Sequence, residues 1–91
     1  MSHTTAHRAP LVARLRRIRG QVEGLERALE GGATCSAVLQ QAAAVRGAVN
    51  GLMAELIEDH LHNHVADPAL SAEARAEGAA ELVDIIRRYG R

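Results

Sequence analysis

The sequence is poor in aromatic side chains: it has one tyrosine, Tyr89, and neither tryptophan nor phenylalanine. A chain of 91 residues forms one domain, and an interior of Ala, Leu and Val without large rings gives that domain a thin core. We therefore predict a single domain over residues 1–91 that buries further surface by associating with other copies of itself.

Cysteine is also scarce, since Cys35 is the only one. A single cysteine excludes an internal disulfide framework and suits a reducing compartment, where its thiolate remains available as a ligand or nucleophile. The sequence contains no apolar run long enough to cross a bilayer, and its N-terminus lacks the hydrophobic segment of a secretory signal. We expect a cytoplasmic protein without a membrane partner.

Net charge is absent as well, because 11 basic residues balance 11 acidic ones. The charges are nevertheless unevenly placed. Residues 1–20 contain no acidic residue but five arginines: Arg8, Arg14, Arg16, Arg17 and Arg19. Acidic residues cluster after residue 54: Glu55, Glu58, Asp59 and Asp67. A localised basic stripe, repeated by symmetry in an oligomer, indicates a nucleic-acid partner that the overall charge conceals.

The hydrophobic periodicity predicts an all-α protomer with helices at about residues 10–30, 35–65 and 69–89, after a flexible tail at 1–8. Gly31-Gly32 ends the first helix, Thr34 caps the second, and Asp67-Pro68 separates the second from the third. The second helix is too long to be a short recognition helix, so no helix-turn-helix is predicted.

Three residues that commonly bind metals share one face of the second helix. At about 100° per residue, His60 and His64 each point within roughly 20° of the Cys35 direction, one to either side, whereas His62 points to the opposite side. A rise of about 1.5 Å per residue separates Cys35 from His60 by on the order of 37 Å. An antiparallel pair of these helices, crossing near Ala48 and Val49, would bring Cys35 of one chain beside both histidines of the other.

Several motifs occur in a fixed order along the chain. They are Arg17-Ile18-Arg19-Gly20-Gln21-Val22, then Cys35 with Val38-Leu39-Gln40-Gln41, then Val45-Arg46-Gly47-Ala48-Val49-Asn50-Gly51-Leu52-Met53, then His60 and His64. This arrangement resembles the CsoR/RcnR family of bacterial metal- and formaldehyde-responsive repressors. The resemblance implies a tetramer, formed as a dimer of antiparallel dimers, that binds operator DNA without a helix-turn-helix and releases it when an effector binds.

The ligand positions resemble those of the nickel/cobalt sensors in that family. The resemblance implies metal ligation by His3, Cys35, His60 and His64, with the Ser2 α-amine as a further donor if Met1 is removed. One thiolate and three imidazoles suit Ni(II) or Co(II), although Zn(II) and copper are expected to bind such donors in vitro as well. No comparable argument makes His7 a metal ligand, and it is assigned to the flexible tail.

Two other subgroups of the family offer alternatives. The copper(I) sensors carry a second thiolate where this chain has His64, which disfavours copper here. The formaldehyde sensors keep the cysteine, commonly begin Met-Pro and lack the last histidine. A formaldehyde-responsive repressor using Cys35 and the N-terminal amine is the main alternative function.

The arginines are the candidate DNA contacts. The resemblance places DNA contacts on the flank formed by Arg14 and Arg17, with Arg46 as a further contributor; Arg16 and Arg19 lie on the other side of the first helix. For Arg46, DNA contact and a buried ion pair are equally compatible with the sequence. Arginines on a long helix mainly neutralise phosphates, so operator choice is expected to depend on DNA shape.

Together these features predict a Ni(II)/Co(II)-responsive repressor of a metal exporter gene, the exporter being implied by the resemblance alone. A metal-buffering module without a DNA role is disfavoured by the arginine cluster. An enzyme with Cys35 as nucleophile and His60 as base is also disfavoured, because no Gly-rich oxyanion segment accompanies the pair.

Overall fold

The computed structural model describes residues 8–89, which form three α-helices and no strand. Helix α1 spans Arg8–Glu30, α2 spans Cys35–His64 and α3 spans Ala72–Tyr89. The prediction of an all-α, three-helix protomer is confirmed. The predicted tail lies outside the described residues except for Arg8, which begins α1 two residues before the predicted start.

The link between α1 and α2 is determined by local signals in the sequence. Gly32 adopts a left-handed conformation, with φ at 73°. The Ala33 N–H donates to the Ala28 carbonyl and the Gly32 N–H to the Leu29 carbonyl, a Schellman arrangement that terminates α1. Thr34 Oγ1 then accepts from the Ala37 N–H at 3.1 Å and caps α2.

Helix α3 begins three residues later than predicted, at Ala72 instead of 69. Asp67 holds the preceding segment in a turn, because its side chain accepts from the Ala69 N–H and its carbonyl from the Leu70 N–H. Ser71 Oγ accepts from the Ala74 N–H at 3.0 Å and caps the helix. The sequence prediction took the residue after Pro68 as the start and missed this serine cap.

The described residues form two compact units that share α2. Residues 8–53 contain α1 and the first part of α2, and residues 54–89 contain the last part of α2 and α3. The second unit holds both histidines at the end of α2, and the first holds Cys35 and the basic end of α1. The prediction of a single domain over 1–91 stays a prediction.

The apolar stripes of the helices are largely uncovered in the single chain. Among residues 8–89, only Leu11 and Ile18 are buried apolar side chains, at 8% and 9% exposure. Large apolar side chains remain exposed on all three helices: Leu15, Val22, Leu29, Leu39, Val49, Leu56, Leu61, Val83, Ile86 and Tyr89. None of the helices within this part of the chain combines the length and apolar character needed to span a bilayer.

Candidate metal centre and nucleic-acid interface

His60 and His64 lie together at the end of α2. They are four residues apart on one helix, so both imidazoles project from the same face. Their ring centroids are 4.8 Å apart, with an angle of 29° between the planes. Both residues are partly buried, whereas His62 is exposed. The structure therefore brings together two of the four predicted ligands and separates them from His62.

Gly78 of α3 lies against this pair of histidines. The Nε2 atom of His60 is 3.0 Å from the Gly78 carbonyl oxygen. A Cβ atom added at position 78 would overlap the His64 carbonyl oxygen and would lie 2.8 Å from the His64 carbonyl carbon. Only a glycine permits this approach of the two helices, and position 78 is buried.

Arg75 of α3 forms hydrogen bonds with the segment that follows α2. Its Nε donates to the Val65 carbonyl at 2.9 Å and its Nη2 to the Asp67 carbonyl at 3.0 Å. These carbonyls lie just beyond the last residue of α2, where helical partners are missing. Arg75 thus satisfies them and ties the start of α3 to the turn.

Asp59 is the buried charged residue beside the histidines, at 6% exposure. The Asn63 side-chain amide donates to Asp59 Oδ1 at 3.1 Å and to the Asp59 backbone carbonyl at 2.8 Å. In the sequence Asp59 belongs to an acidic cluster, which gives no information on its burial. The structure instead places it inside the same helical turn as His60, where its hydrogen bonds brace that turn.

Cys35 is an exposed free thiol at the first residue of α2, next to the Thr34 cap. His64 is the last residue of the same 30-residue helix. Within residues 8–89 of one chain, no three His, Cys, Asp or Glu side chains converge to hold a metal ion. A thiolate and imidazoles are donors that Ni(II), Co(II) and Zn(II) all accept, so the residue types fit such an ion.

The remaining predicted donors, His3 and the Ser2 amine, lie outside the described residues, as does His7. Their roles stay predictions.

Arg14 lies across the neighbouring helix. A Cβ atom added at Gly51 would be 2.7 Å from Arg14 Nη1, so the guanidinium rests on the glycine surface of α2. Arg14 is accordingly half-buried. Its role as a DNA contact stays a prediction, and its position shows that it also packs α1 against α2.

The other candidate DNA contacts, Arg16, Arg17, Arg19 and Arg46, are exposed. Arg46 borders a shallow, mainly apolar groove on α2 that is also lined by Leu39, Ala42 and Ala43. Exposed guanidinium groups of this kind are able to contact phosphates.

Gly78 and Arg75 are neighbours of the candidate site that were not predicted from the sequence. For Gly78 a signal was present, because an isolated glycine inside a helical pattern often marks a close approach of backbones. For Arg75 we find no sequence signal, since its partners are backbone carbonyls.

The chain is similar to known transcriptional repressors over almost its whole length. The sequence profile of the metal-sensitive transcriptional repressors matches residues 7–88. The chain is 49% identical over 86 residues to the transcriptional repressor RcnR of Salmonella paratyphi B, covering 94% of this chain and 90% of that protein. It is 53% identical over 89 residues to an uncharacterised protein from the bioA 5′ region of Serratia marcescens, covering 98% of each.

A solved structure shares the fold. It is a variant of the formaldehyde-responsive regulator FrmR of Salmonella enterica serovar Typhimurium in which a glutamate is replaced by histidine. The TM-score is 0.87 at 49% sequence identity, covering 97% of this chain and 99% of that one. The match over nearly the whole chain, together with the three-helix fold and the paired histidines, shows that this protein belongs to the CsoR/RcnR family of metal-sensitive transcriptional repressors, which are not enzymes.

Proposed function

We propose that this protein is a cytoplasmic Ni(II)/Co(II)-responsive repressor that binds operator DNA without effector and releases it when the metal binds. The observation that carries the proposal is the pairing of His60 with His64 at the end of α2, with their rings 4.8 Å apart. Two neighbouring imidazoles are donors well suited to these ions. A nickel or cobalt exporter is the regulated product that fits this response.

The second chain that completes the site is a copy of the protein. Val49 and Leu56 on the apolar stripe of α2 are exposed in the single chain, as are Leu15 and Leu29 of α1. Burying such surfaces is favourable by about 25 cal/mol per Å² of apolar area. An antiparallel pairing of α2 would cover part of this surface and place Cys35 of one chain beside His60 and His64 of the other. Two such dimers would form the tetramer.

The DNA-binding face consists of the exposed arginines at the beginning of α1, aided by Arg46 and by Arg14 where its guanidinium reaches a phosphate. Repetition of this face in a tetramer would offer many guanidinium groups to one operator. Recruitment of His3 to the metal would tie the start of α1 to the site and move the basic face. A coupling free energy of about 1–3 kcal/mol per site is enough for release, and linkage requires DNA to weaken metal binding equally.

Formaldehyde is the second candidate effector, and one observation favours it. The solved formaldehyde-responsive regulator and the repressor RcnR are equally similar to this chain, at 49% identity each. The exposed Cys35 thiol, with the Ser2 amine, would form the adduct. Against this, the histidine of the solved regulator was introduced in place of a glutamate, whereas this chain carries His60 and His64 in its own sequence.

The deciding experiment measures release of the operator from metal-free protein by Ni(II), Co(II), Cu(I), Zn(II) and formaldehyde, each at a buffered concentration. We expect Ni(II) and Co(II) to release the DNA fully. The His64→Ala variant should lose this response, and the His62→Ala variant should keep it as the matched control. Release by formaldehyde in the presence of a chelator, without release by Ni(II) or Co(II), would establish the alternative.

A further inference from the structure

The hydrogen bond between His60 and Gly78 determines which imidazole nitrogen of His60 carries the proton. The Nε2 atom lies 3.0 Å from the Gly78 carbonyl oxygen, and a carbonyl oxygen only accepts hydrogen bonds. Nε2 is therefore the protonated nitrogen. In the neutral ring the lone pair is then on Nδ1, and only a nitrogen with a lone pair is able to bind a metal ion.

The backbone of α3 is held where this hydrogen bond requires it. Gly78 is buried, and any side chain there would overlap the backbone of His64. Arg75, one turn earlier in α3, donates to the carbonyls of Val65 and Asp67. Two contacts about one helical turn apart thus fix α3 against the end of α2.

We propose that α3 is the positioning element of the effector site: the Gly78 carbonyl holds the His60 ring through Nε2–H and makes Nδ1 the coordinating nitrogen. This inference rests on the proposed role of His60 as a metal ligand. Metal-binding histidines commonly donate their second ring N–H to a backbone carbonyl, and loss of such a partner weakens metal binding by about 10–100-fold. Gly78 and Arg75 are positioning residues that act through His60.

The proton position is measured first, on the full-length metal-free protein. Long-range ¹H–¹⁵N correlation spectra of protein labelled with ¹⁵N-histidine distinguish the two neutral tautomers of each imidazole. We expect His60 to be protonated at Nε2. Addition of diamagnetic Zn(II) should shift the Nδ1 signal and leave the Nε2–H resonance in place. A proton on Nδ1 in the metal-free protein, or binding of Zn(II) through Nε2, would overturn the inference.

The Gly78→Ala variant tests the role of α3. We expect a loss of Co(II) affinity of about 10–100-fold and a mixture of His60 tautomers, because the added methyl group pushes the Gly78 carbonyl away. Arg75→Gln, which removes charged hydrogen bonds without adding bulk, should give a smaller shift in the same direction. The matched control is Gly20→Ala in α1, where an added Cβ atom meets nothing within 4 Å. This control should bind Co(II) as the parent does.

These outcomes separate the two proposals. Parent-like Co(II) affinity and an unchanged tautomer in a folded Gly78→Ala variant would contradict the positioning role. If that variant fails to fold, the spectra of the unchanged protein still decide the question. The spectra require no DNA. If they show His60 protonated at Nε2 and Zn(II) bound to Nδ1, but neither Ni(II) nor Co(II) releases the operator, the proposed function is refuted and the positioning role of α3 is not.

Discussion

Neighbouring histidines at the end of α2 have different surroundings. His64 is partly buried and stacks on His60, whereas His62 points to solvent. The difference follows from the helical repeat, because residues four apart share a face and residues two apart do not. Chemical identity alone would make the two positions equivalent.

We therefore predict unequal effects of alanine at these two positions. His64→Ala should weaken Ni(II) and Co(II) binding by more than about 100-fold, above the range for loss of an indirect partner, because a donor atom is removed. His62→Ala should leave the affinity nearly unchanged. Competition titrations against a chelator measure both. Equal losses would mean that the end of α2 is unwound or rotated, so that the helical repeat does not distinguish the two histidines.

The arginines of α1 also differ from one another in their surroundings. Arg17 is exposed, but Arg14 lies over Gly51 and is half-buried. Replacing Arg14 therefore removes packing as well as charge, and its effect on DNA binding would be ambiguous. Arg17 is the cleaner probe.

Arg17→Ala should weaken DNA binding and reduce the slope of log affinity against log salt by about 1 for each Arg17 that contacts a phosphate. Metal affinity in the absence of DNA should stay unchanged. Arg88→Ala is the matched control, because Arg88 is an exposed arginine of α3 that pairs with Asp84. Fluorescence anisotropy over a salt series measures the slope. A full parental slope in Arg17→Ala would exclude this residue from the DNA-binding face.

At the scale of the helices, the ends are determined by caps of a few residues each. Gly32, with φ at 73°, ends α1, and Thr34 begins α2. Gly20 in the middle of α1 has ordinary helical geometry and open space around it. These two glycines therefore have opposite roles in stability.

Gly32→Ala should lower the free energy of unfolding by about 1–2 kcal/mol, because a side chain in the left-handed conformation meets the following carbonyl. Gly20→Ala should raise it by roughly 0.5–1 kcal/mol, because alanine loses less conformational freedom in a helix interior. Chemical denaturation at one fixed protein concentration measures both changes. A destabilised Gly20→Ala variant would show that another copy packs closely against position 20.

For the whole molecule, we propose that the effector site belongs to two chains. Cys35 and His64 are the first and last residues of one 30-residue helix, and no three potential ligands converge within residues 8–89 of a single chain. In the proposed antiparallel dimer, the second chain would supply the missing ligand. Burial of the exposed apolar stripes would give the driving force for the proposed assembly.

Mixing two inactive variants tests the shared site. Cys35→Ala and His60→Ala homo-oligomers should each bind Co(II) weakly and lack an intact site. After subunit exchange, a mixed antiparallel dimer holds one site with all its ligands and one site with neither Cys35 nor His60. Tight binding should therefore return in part, visible as thiolate-to-cobalt absorption. Verified exchange without any recovered tight site would contradict the antiparallel arrangement.

The features that depend on nearby residues follow from the amino-acid sequence alone. Helical periodicity placed His60 and His64 on one face and His62 on the other, and glycine and threonine signals located the link between α1 and α2. These interactions act within four or five residues, so their geometry follows from the order of the amino acids. The start of α3 was predicted too early because the Asp67 turn and the Ser71 cap, and not Pro68, determine where the helix begins.

Contacts between residues of different helices could not be predicted from the sequence and depend on how the helices pack. The carbonyl of Gly78 lies at His60, Arg14 rests on Gly51, and Asp59 is buried although its neighbour Glu58 is exposed. Each result depends on how two helices lie against each other, which is determined by many side-chain volumes together and by no single local signal. The identity of a glycine or a charged residue does not show whether it lies on a buried or an exposed face. Only the packing of the helices distinguishes the two cases.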